Sequence, residues 1–398
     1  MRLNFKLLNE LENKYGESFY LLDTDAFKSN FDEFLGEFRK FYNKTFIGYS
    51  YKTNYTPRLC EIIYEKGGYA EVVSEMEYDL AIKVGVPTEQ IIVNGPYKNK
   101  KALKKFLLGG SIVNLDSYRE LGNLLIIADE NKENELNLGI RCNFEINSDL
   151  ISRFGFDVEH HDFKSIFSKI NNVKNINLKG LHCHFPNRDL ESYSSRVDKM
   201  LTLVDELFDT TPEFIDVGGG YFGKMNIELA KQFSCPVPKY NEYAEVIAKK
   251  VNEHFINLSE LEKPKLFLEP GSAVVANTMK FVSKVIDIKS VRDKRIAMTS
   301  GSKFNIGLLT STINMPMKVI SSNNDDLKDK TTLTDISGYT CIEADYLFKG
   351  YQGSIEIDDF LSFENVGSYS VVFKPTFMLP NVPVVEVLKS GFNEVKRQ

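Results

Sequence analysis

Residues 213–223 read EFIDVGGGYFG, an apolar, β-prone run that stops at three consecutive glycines. The run reads as a strand and the glycines as the turn that ends it. Moving outward in both directions, the same punctuation recurs in SFYLLD, KTFIGYSY, YAEVV, QIIVNG, SIVNLD, LNLGIRC, LKGLHCHF and PKLFLEPG. Between these runs lie helical patterns, among them Thr56–Lys66, Glu75–Lys83, Ser117–Asn131 and Tyr240–Phe255. Strand–helix alternation over roughly 250 residues predicts a parallel sheet, closed at this length into an α/β (β/α)8 barrel of TIM type. The runs Ser18–Asp23 and Asn137–Cys142 fit equally well as strands outside the barrel.

After about Ile286 the texture changes. Val282–Ser290, Arg295–Ser300, Met315–Ser321, Ser354–Phe363 and Val371–Phe377 read as strands, separated by turn-rich segments such as SSNNDDLKDK. This predicts a second, antiparallel β domain. The expected division is a barrel over 25–285 and a β-rich domain over 286–398, with residues 1–24 packed on it.

The charge balance narrows the partners. A net charge of −6 and an acidic isoelectric point oppose nucleic acid, which needs a basic footprint. No run of ~18 apolar residues predicts a membrane span, and the N-terminus lacks the apolar stretch of a secretion signal. Five scattered cysteines without a CxxC pair read as reduced thiols, so a cytoplasmic location is expected.

Five segments carry chemistry. GYSYKTNY (48–55) sets Lys52 at the tip of an early strand, on the rim where barrel active sites are built. A partly desolvated lysine there can have a lowered pKa and form a Schiff base; a solvated lysine after a strand is the plainer alternative. In GLHCHF (180–185), strand alternation turns His182 and His184 to one face. They suit a metal, a flat contact on a cofactor ring or a satisfied buried pair; no third ligand nearby is apparent, so no metal is expected. Gly218, Gly219 and Gly220 allow backbone N–H groups to close on a phosphate without a Cβ in the way. They match neither the Rossmann fingerprint nor a P-loop. In FLEPGSAVV (267–275), Glu269 is fixed at a strand end by Pro-Gly, where a carboxylate could keep a pyridine nitrogen protonated. Cys341, in SGYTCIEADYLF (337–348), sits in a polar loop with Glu343 and Asp345, as a proton donor or an inert thiol.

Taken in order and spacing, these segments resemble the fold-type III pyridoxal-5′-phosphate (PLP) decarboxylases, the group of diaminopimelate, ornithine and arginine decarboxylases. The resemblance runs from about residue 18 to about 385 and includes YAEVVSEMEYDLA, VNGPYKN, VNLDS and SRFGFD. It implies an alanine-racemase-like pairing of barrel and β domain. It implies a cytoplasmic homodimer with shared sites that removes the α-carboxylate of an amino acid as CO2. Residue by residue, it implies that Lys52 carries PLP and that His184 stacks on the ring. Gly218–Gly220 and Gly271 would hold the phosphate with Tyr369, Glu269 would pair with the pyridine nitrogen, and Arg141 would lie near the cofactor. Cys341 would return a proton in the partner's site.

The departures are informative. Ser272 stands where the family usually has an arginine on the phosphate, and Asn187 where it has a serine, with Arg188 nearby as a substitute. Ile342 follows Cys341 where an acidic residue usually meets a distal ammonium, and Ser300 replaces an aspartate. Glu343, Asp345 and Ser300 therefore become the candidate substrate contacts, and the expected substrate is a non-standard, modified or carrier-linked amino acid. Two rivals are a PLP-dependent racemase, opposed by Glu269, and an inactive binding protein, opposed by the presence of Lys52 and Cys341.

Overall fold

A computed structural model describes residues 3–146, 151–307, 313–322, 333–374 and 376–395. Eight strands form one parallel sheet: β1 (Thr45–Ser50), β2 (Tyr69–Val72), β3 (Ile91–Val93), β4 (Ile112–Leu115), β5 (Leu136–Asn143), β6 (Ile176–His182), β7 (Phe214–Asp216) and β8 (Lys265–Leu268). Consecutive strands pair in parallel, and β8 returns to β1 with Leu266 opposite Thr45, which closes the barrel. Asn137–Cys142 is thus a barrel strand.

The strands are short because each runs from one helix to the next across a packed interior. Tyr69, Ile92, Phe214 and Phe267 are buried together, with Phe46 and Ile112 against them. A Cβ at Gly139 or Gly180 would come within 2.8 or 2.7 Å of the Phe214 ring, so these glycines make room for it. The outer helices start where the sequence supplies caps: Ser74, Asn99, Ser117 and Asp189 each accept an N–H from the first helical turn. The helix predicted over Tyr240–Phe255 contains a π turn at Glu245–Lys249.

The chain divides into two compact units, one of residues 29–222 and 237–273, the other of residues 1–28, 223–236 and 274–398. The second unit therefore begins before 286: its long strand Met279–Val291 is continuous through that point. Around that strand lie Lys294–Thr299, Phe360–Phe363 and Ser18–Leu22, and further out Leu333–Ser337, Tyr346–Gln352, Met317–Ile320, Val384–Leu388 and Gly391–Val395. The sheet is mixed rather than purely antiparallel, since Ser18–Leu22 pairs in parallel with Val384–Leu388 and Lys294–Thr299 with Leu333–Ser337. The helix Phe5–Tyr15 buries Leu8 and Leu11 with Phe19, Leu21, Val282, Phe360 and Val385.

Two of the expected strands change. Only Phe360–Phe363 of Ser354–Phe363 is strand, and the described part of Val371–Phe377 is turn and an isolated bridge. Most of SSNNDDLKDK falls outside the described residues.

Candidate active site

All eight barrel strands run the same way, so the residues that end them share one rim. Each strand contributes a functional group within two residues of its C-terminal end: Lys52, Glu71, Asn94, Asp116, Arg141, His182, Asp216 and Glu269 in order. The side chains interlock. Lys52 Nζ, on a short 3-10 turn after β1, ion-pairs with Glu71 Oε2; the lysine side chain is 28 % exposed and the glutamate 0 %. Asn94 donates to Glu269 Oε1 and, at 3.3 Å, to Glu71 Oε1, while Asn114 donates to Asn94 at 2.7 Å. His182 Nε2 lies 3.5 Å from the Glu269 carboxylate. Asp116 pairs with Arg141 at 3.1 Å, and Arg141 reaches the His184 carbonyl at 3.4 Å.

This arrangement sets the charges. Burial raises the Glu71 carboxyl above its ordinary range, opposed by Lys52. Burial also opposes ionisation of Glu269, but His182 and Lys52 outweigh it and hold that carboxyl well below the usual carboxylate range. Burial, reinforced by Glu269, drives Asp216 the opposite way, toward its neutral form. Burial holds His184 well below the ordinary imidazole range, whereas for His182 the lowering by burial is opposed by Glu269. The rim thus holds one firmly ionised acid beside a lysine. The reacting groups of His182, Asp216 and Glu269 lie within 4.8 Å of one another and could ligate a small cation. However, Asn94 already bonds Glu269 and the Gly218 N–H bonds Asp216 at 2.9 Å, so the set reads as a hydrogen-bonded acid cluster.

The glycine turn is built by close approach. Gly218 has φ +71°, and a Cβ there would strike the Cys183 carbonyl; one on Gly219 would strike the Glu269 carbonyl. The Glu269 N–H donates to the Gly218 carbonyl at 2.9 Å, joining this turn to the Glu-Pro-Gly turn. The expected use of all three N–H groups for an anion is corrected: Gly218 donates to Asp216, and Gly219 to His184 Nδ1 at 3.0 Å. That second bond fixes the proton of neutral His184 on Nε2. The N–H groups of Gly220 and Tyr221 have no acceptor among the described residues, and Asn187 Oδ1 is buried without a partner. Gly271 packs against Thr53, and Ser272 follows it, half-buried. Arg188 rests on the Phe222 ring, 5.2 Å from its centroid.

The second unit holds the remaining expected residues. Cys341, Ile342 and Glu343 are exposed on the loop 338–345. Asp345 lies beneath them with 2 % exposure, accepting from Ser302 Oγ, Lys303 N, Thr340 N and Thr340 Oγ1 at 2.6–3.3 Å. Its carboxylate is filled by the loop it anchors, which corrects its expected role as a substrate contact. Ser300 is corrected likewise: it is buried, bonds Ser18 and the Glu17 carbonyl, and accepts from Lys284 N. Tyr369 is half-buried against Phe373 and has φ +55°, an uncommon conformation for a bulky residue.

Glu71, Asn94, Asn114, Asp116 and Asp216 were not singled out from the sequence, although all five lie within the runs that defined the strands. Position at a strand's C-terminal tip was the available signal.

The rim suits PLP: a lysine paired with a buried acid, an ionised carboxylate, and a glycine cradle with two free N–H groups and an orphaned amide. Residues 28–276, more than half of the chain, match the family described as pyridoxal-dependent decarboxylase, pyridoxal binding domain. The chain belongs to this family: it is a PLP-dependent amino-acid decarboxylase. Among individual proteins it is similar to the diaminopimelate decarboxylase of Aquifex aeolicus, with 24 % identity over 98 % of this chain and 91 % of that one. In fold it is similar to a crystal structure of diaminopimelate decarboxylase from Methanocaldococcus jannaschii, with TM-score 0.85, 22 % identity, and coverage of 98 % of this chain and 91 % of that one. Diaminopimelate decarboxylase from Helicobacter pylori, complexed with L-lysine, gives TM-score 0.83 at 20 % identity, covering 98 % and 96 %. No helix among the described residues is long and apolar enough to cross a membrane.

Proposed function

We propose that the barrel rim removes the α-carboxylate of an amino acid whose distal end is not a free ammonium. The observation that carries the catalytic part is the interlocked chain Lys52–Glu71–Asn94–Glu269–His182, buried apart from the lysine. Lys52 would hold PLP through Nζ, Glu269 would face the ring nitrogen, and the Gly220 turn with Asn187 would take the phosphate. Bound PLP supplies an electron sink for the pair left when CO2 departs. Glu269, ionised in a dry site, is the residue that keeps a ring nitrogen protonated. Glu71, paired with Lys52 and raised by burial, could take the ammonium proton and so leave Lys52 Nζ as the free amine that bonding to PLP would require. His184, kept neutral and oriented by Gly219, offers a flat uncharged face that does not compete for the sink.

We also propose that the protein acts as a homodimer in which Cys341 returns a proton to the α-carbon in the neighbouring chain's site. The support is chemical and local. Cys341 N–H meets Met378 Sδ at 3.4 Å, and Ile342, Phe373, Phe377, Met378 and Leu379 expose apolar surface in one chain, as a surface awaiting a partner does. With Asp345 and Ser300 spent internally, Glu343 is the remaining candidate substrate contact. A distal group that is acylated, carboxylated or carrier-linked fits one exposed carboxylate set one residue further from the cysteine.

Release of CO2 from a panel of α-amino acids tests this reading. The panel includes meso-diaminopimelate, lysine, ornithine, arginine and their Nω-acylated forms. Turnover of an acylated or carboxylated member over the free diamines is expected. Efficient turnover of meso-diaminopimelate alone would overturn the substrate part, and no CO2 from any member would overturn the whole.

A further inference from the structure

Arg196 lies in the helix Leu190–Leu207 with 0 % exposure, among the largest fully buried side chains of the protein. Its guanidinium donates to the Asn187 carbonyl at 2.5 Å, to the Gly219 carbonyl at 3.4 Å, and to Ser192 Oγ at 2.8 and 3.1 Å. It lies 4.2 Å from the Tyr193 ring centroid and 5.5 Å from that of Phe185. Every one of these partners is neutral. Among the described residues no carboxylate comes within ion-pairing distance, although a guanidinium is never deprotonated in a protein. Buried charges are ordinarily paired, because an unpaired one carries a large desolvation penalty.

The missing counter-charge has an address. The carbonyls that Arg196 grips belong to Asn187 and Gly219, the two segments that carry the orphaned polar groups of the site. Those groups are the N–H groups of Gly220 and Tyr221 and the buried amide of Asn187, whose donor and acceptor exchange by a half-turn. Tyr193 adds a second grip, donating to the Gly219 carbonyl at 2.7 Å. Two unpaired N–H donors, an unpaired amide and an uncompensated cation behind them make a site for a multiply charged anion.

We propose that Arg196 is the positioning cation of the cofactor's phosphate site, acting from behind the glycine turn. It polarises the Gly219 peptide, holds Asn187 in place and supplies the field that favours a dianion. The inference rests on the reading that this rim takes PLP, and it explains how a chain with Ser272 beside the Glu-Pro-Gly turn can retain the phosphate.

The test compares PLP with pyridoxal, which lacks the phosphate. Full-length protein stripped of cofactor is titrated with each, for wild type, Arg196→Gln and Arg196→Lys, and binding is followed by absorbance and tryptophan-free tyrosine fluorescence. Wild type is expected to prefer PLP. Arg196→Gln is expected to lose about 30-fold in PLP affinity and no more than about 3-fold in pyridoxal affinity, with Arg196→Lys recovering most of the loss. Inorganic phosphate should raise the melting temperature of wild type and of Arg196→Lys but not of Arg196→Gln. Equal losses for PLP and pyridoxal would reduce Arg196 to a structural strut and overturn the proposal, as would an unchanged PLP affinity. If Arg196→Gln does not fold, Arg196→Lys decides: a selective change in PLP affinity, or a retained preference for PLP together with the phosphate response, supports the proposal, and equal losses for PLP and pyridoxal overturn it. Wild type that binds neither compound would instead contradict the PLP reading.

Discussion

At the barrel rim, Lys52, Glu71, Asn94, Glu269 and His182 bond one another and, apart from the lysine, are buried; in the β-rich unit, Cys341, Ile342 and Glu343 are exposed and only Asp345 beneath them is fixed. The rim is complete within one chain, and its charges are set by burial and by each other. The loop offers a thiol and a carboxylate to solvent, on a frame that a single buried acid maintains. The difference teaches where each kind of specificity is stored. Chemistry that must work the same way at each turnover is carried by a preorganised, desolvated cluster. On the proposed reading, recognition of the substrate's distal end falls to side chains that one chain leaves uncovered.

Breaking the rim should have the largest effect. Lys52→Ala should lower CO2 release by ~10³-fold or more, measured at saturating PLP, because it removes the nucleophile and leaves Glu71 without its cation. Glu269→Gln should follow with roughly a 10²-fold loss in kcat while PLP still binds, a split visible by comparing turnover with the cofactor's absorbance. The loop should yield less. Asp345→Ala strands four donors and should destabilise the protein by about 2–4 kcal/mol in denaturant unfolding. It should cut turnover about tenfold and leave the cofactor spectrum unchanged; a changed spectrum would mean that the two regions are not separable.

The smallest effect sharpens the electrostatic half of the comparison. Glu77, buried on the helix after β2 and accepting from Val73 N at 2.8 Å, is pushed up to about 7, chiefly by burial. Between its ordinary value of 4.5 and about 7, the folded state binds more protons than the unfolded one, so stability falls as pH rises through that window. The full cost, reached above pH 7, is about 3 kcal/mol at most. Glu77→Gln should flatten that part of the stability curve and leave the protein more stable than wild type at pH 8. Parallel curves for the two proteins would show that Glu77 is ionised at its ordinary pH in the fold.

Much of this was legible in the sequence, for identifiable reasons. Parallel strands buried on both sides read as short apolar runs, so the barrel and the tips carrying Lys52, His184, Gly218–Gly220 and Glu269 could be located by pattern. Asn94 and Asn114 could not, because an asparagine just after or within a strand shows no sign of its partners until the barrel closes and sets Asn94 beside Glu269 and Asn114 beside Asn94. Arg196 was hidden in a helix whose polar residues read as its solvated face. In the β-rich unit, Leu333–Ser337, Val384–Leu388 and Gly391–Val395 have five residues each, too few for alternation to stand out. Val371–Phe377 has the composition of a strand, but the chain preceding it turns through Asn365 and Tyr369 with positive φ, and pattern alone does not register such a reversal. Ser300 and Asp345 were assigned outward roles because their residue types suit substrate contact, whereas burial and saturated hydrogen bonding turn both inward.

The central claim is that Lys52 is the residue that holds the cofactor. The direct measurement is to incubate the purified protein with PLP, reduce with borohydride, digest and locate the added mass by peptide sequencing. The account predicts a single modified lysine, Lys52, with the visible band lost on reduction and absent from Lys52→Ala. A label on any other lysine, or a visible band retained in Lys52→Ala, would contradict it.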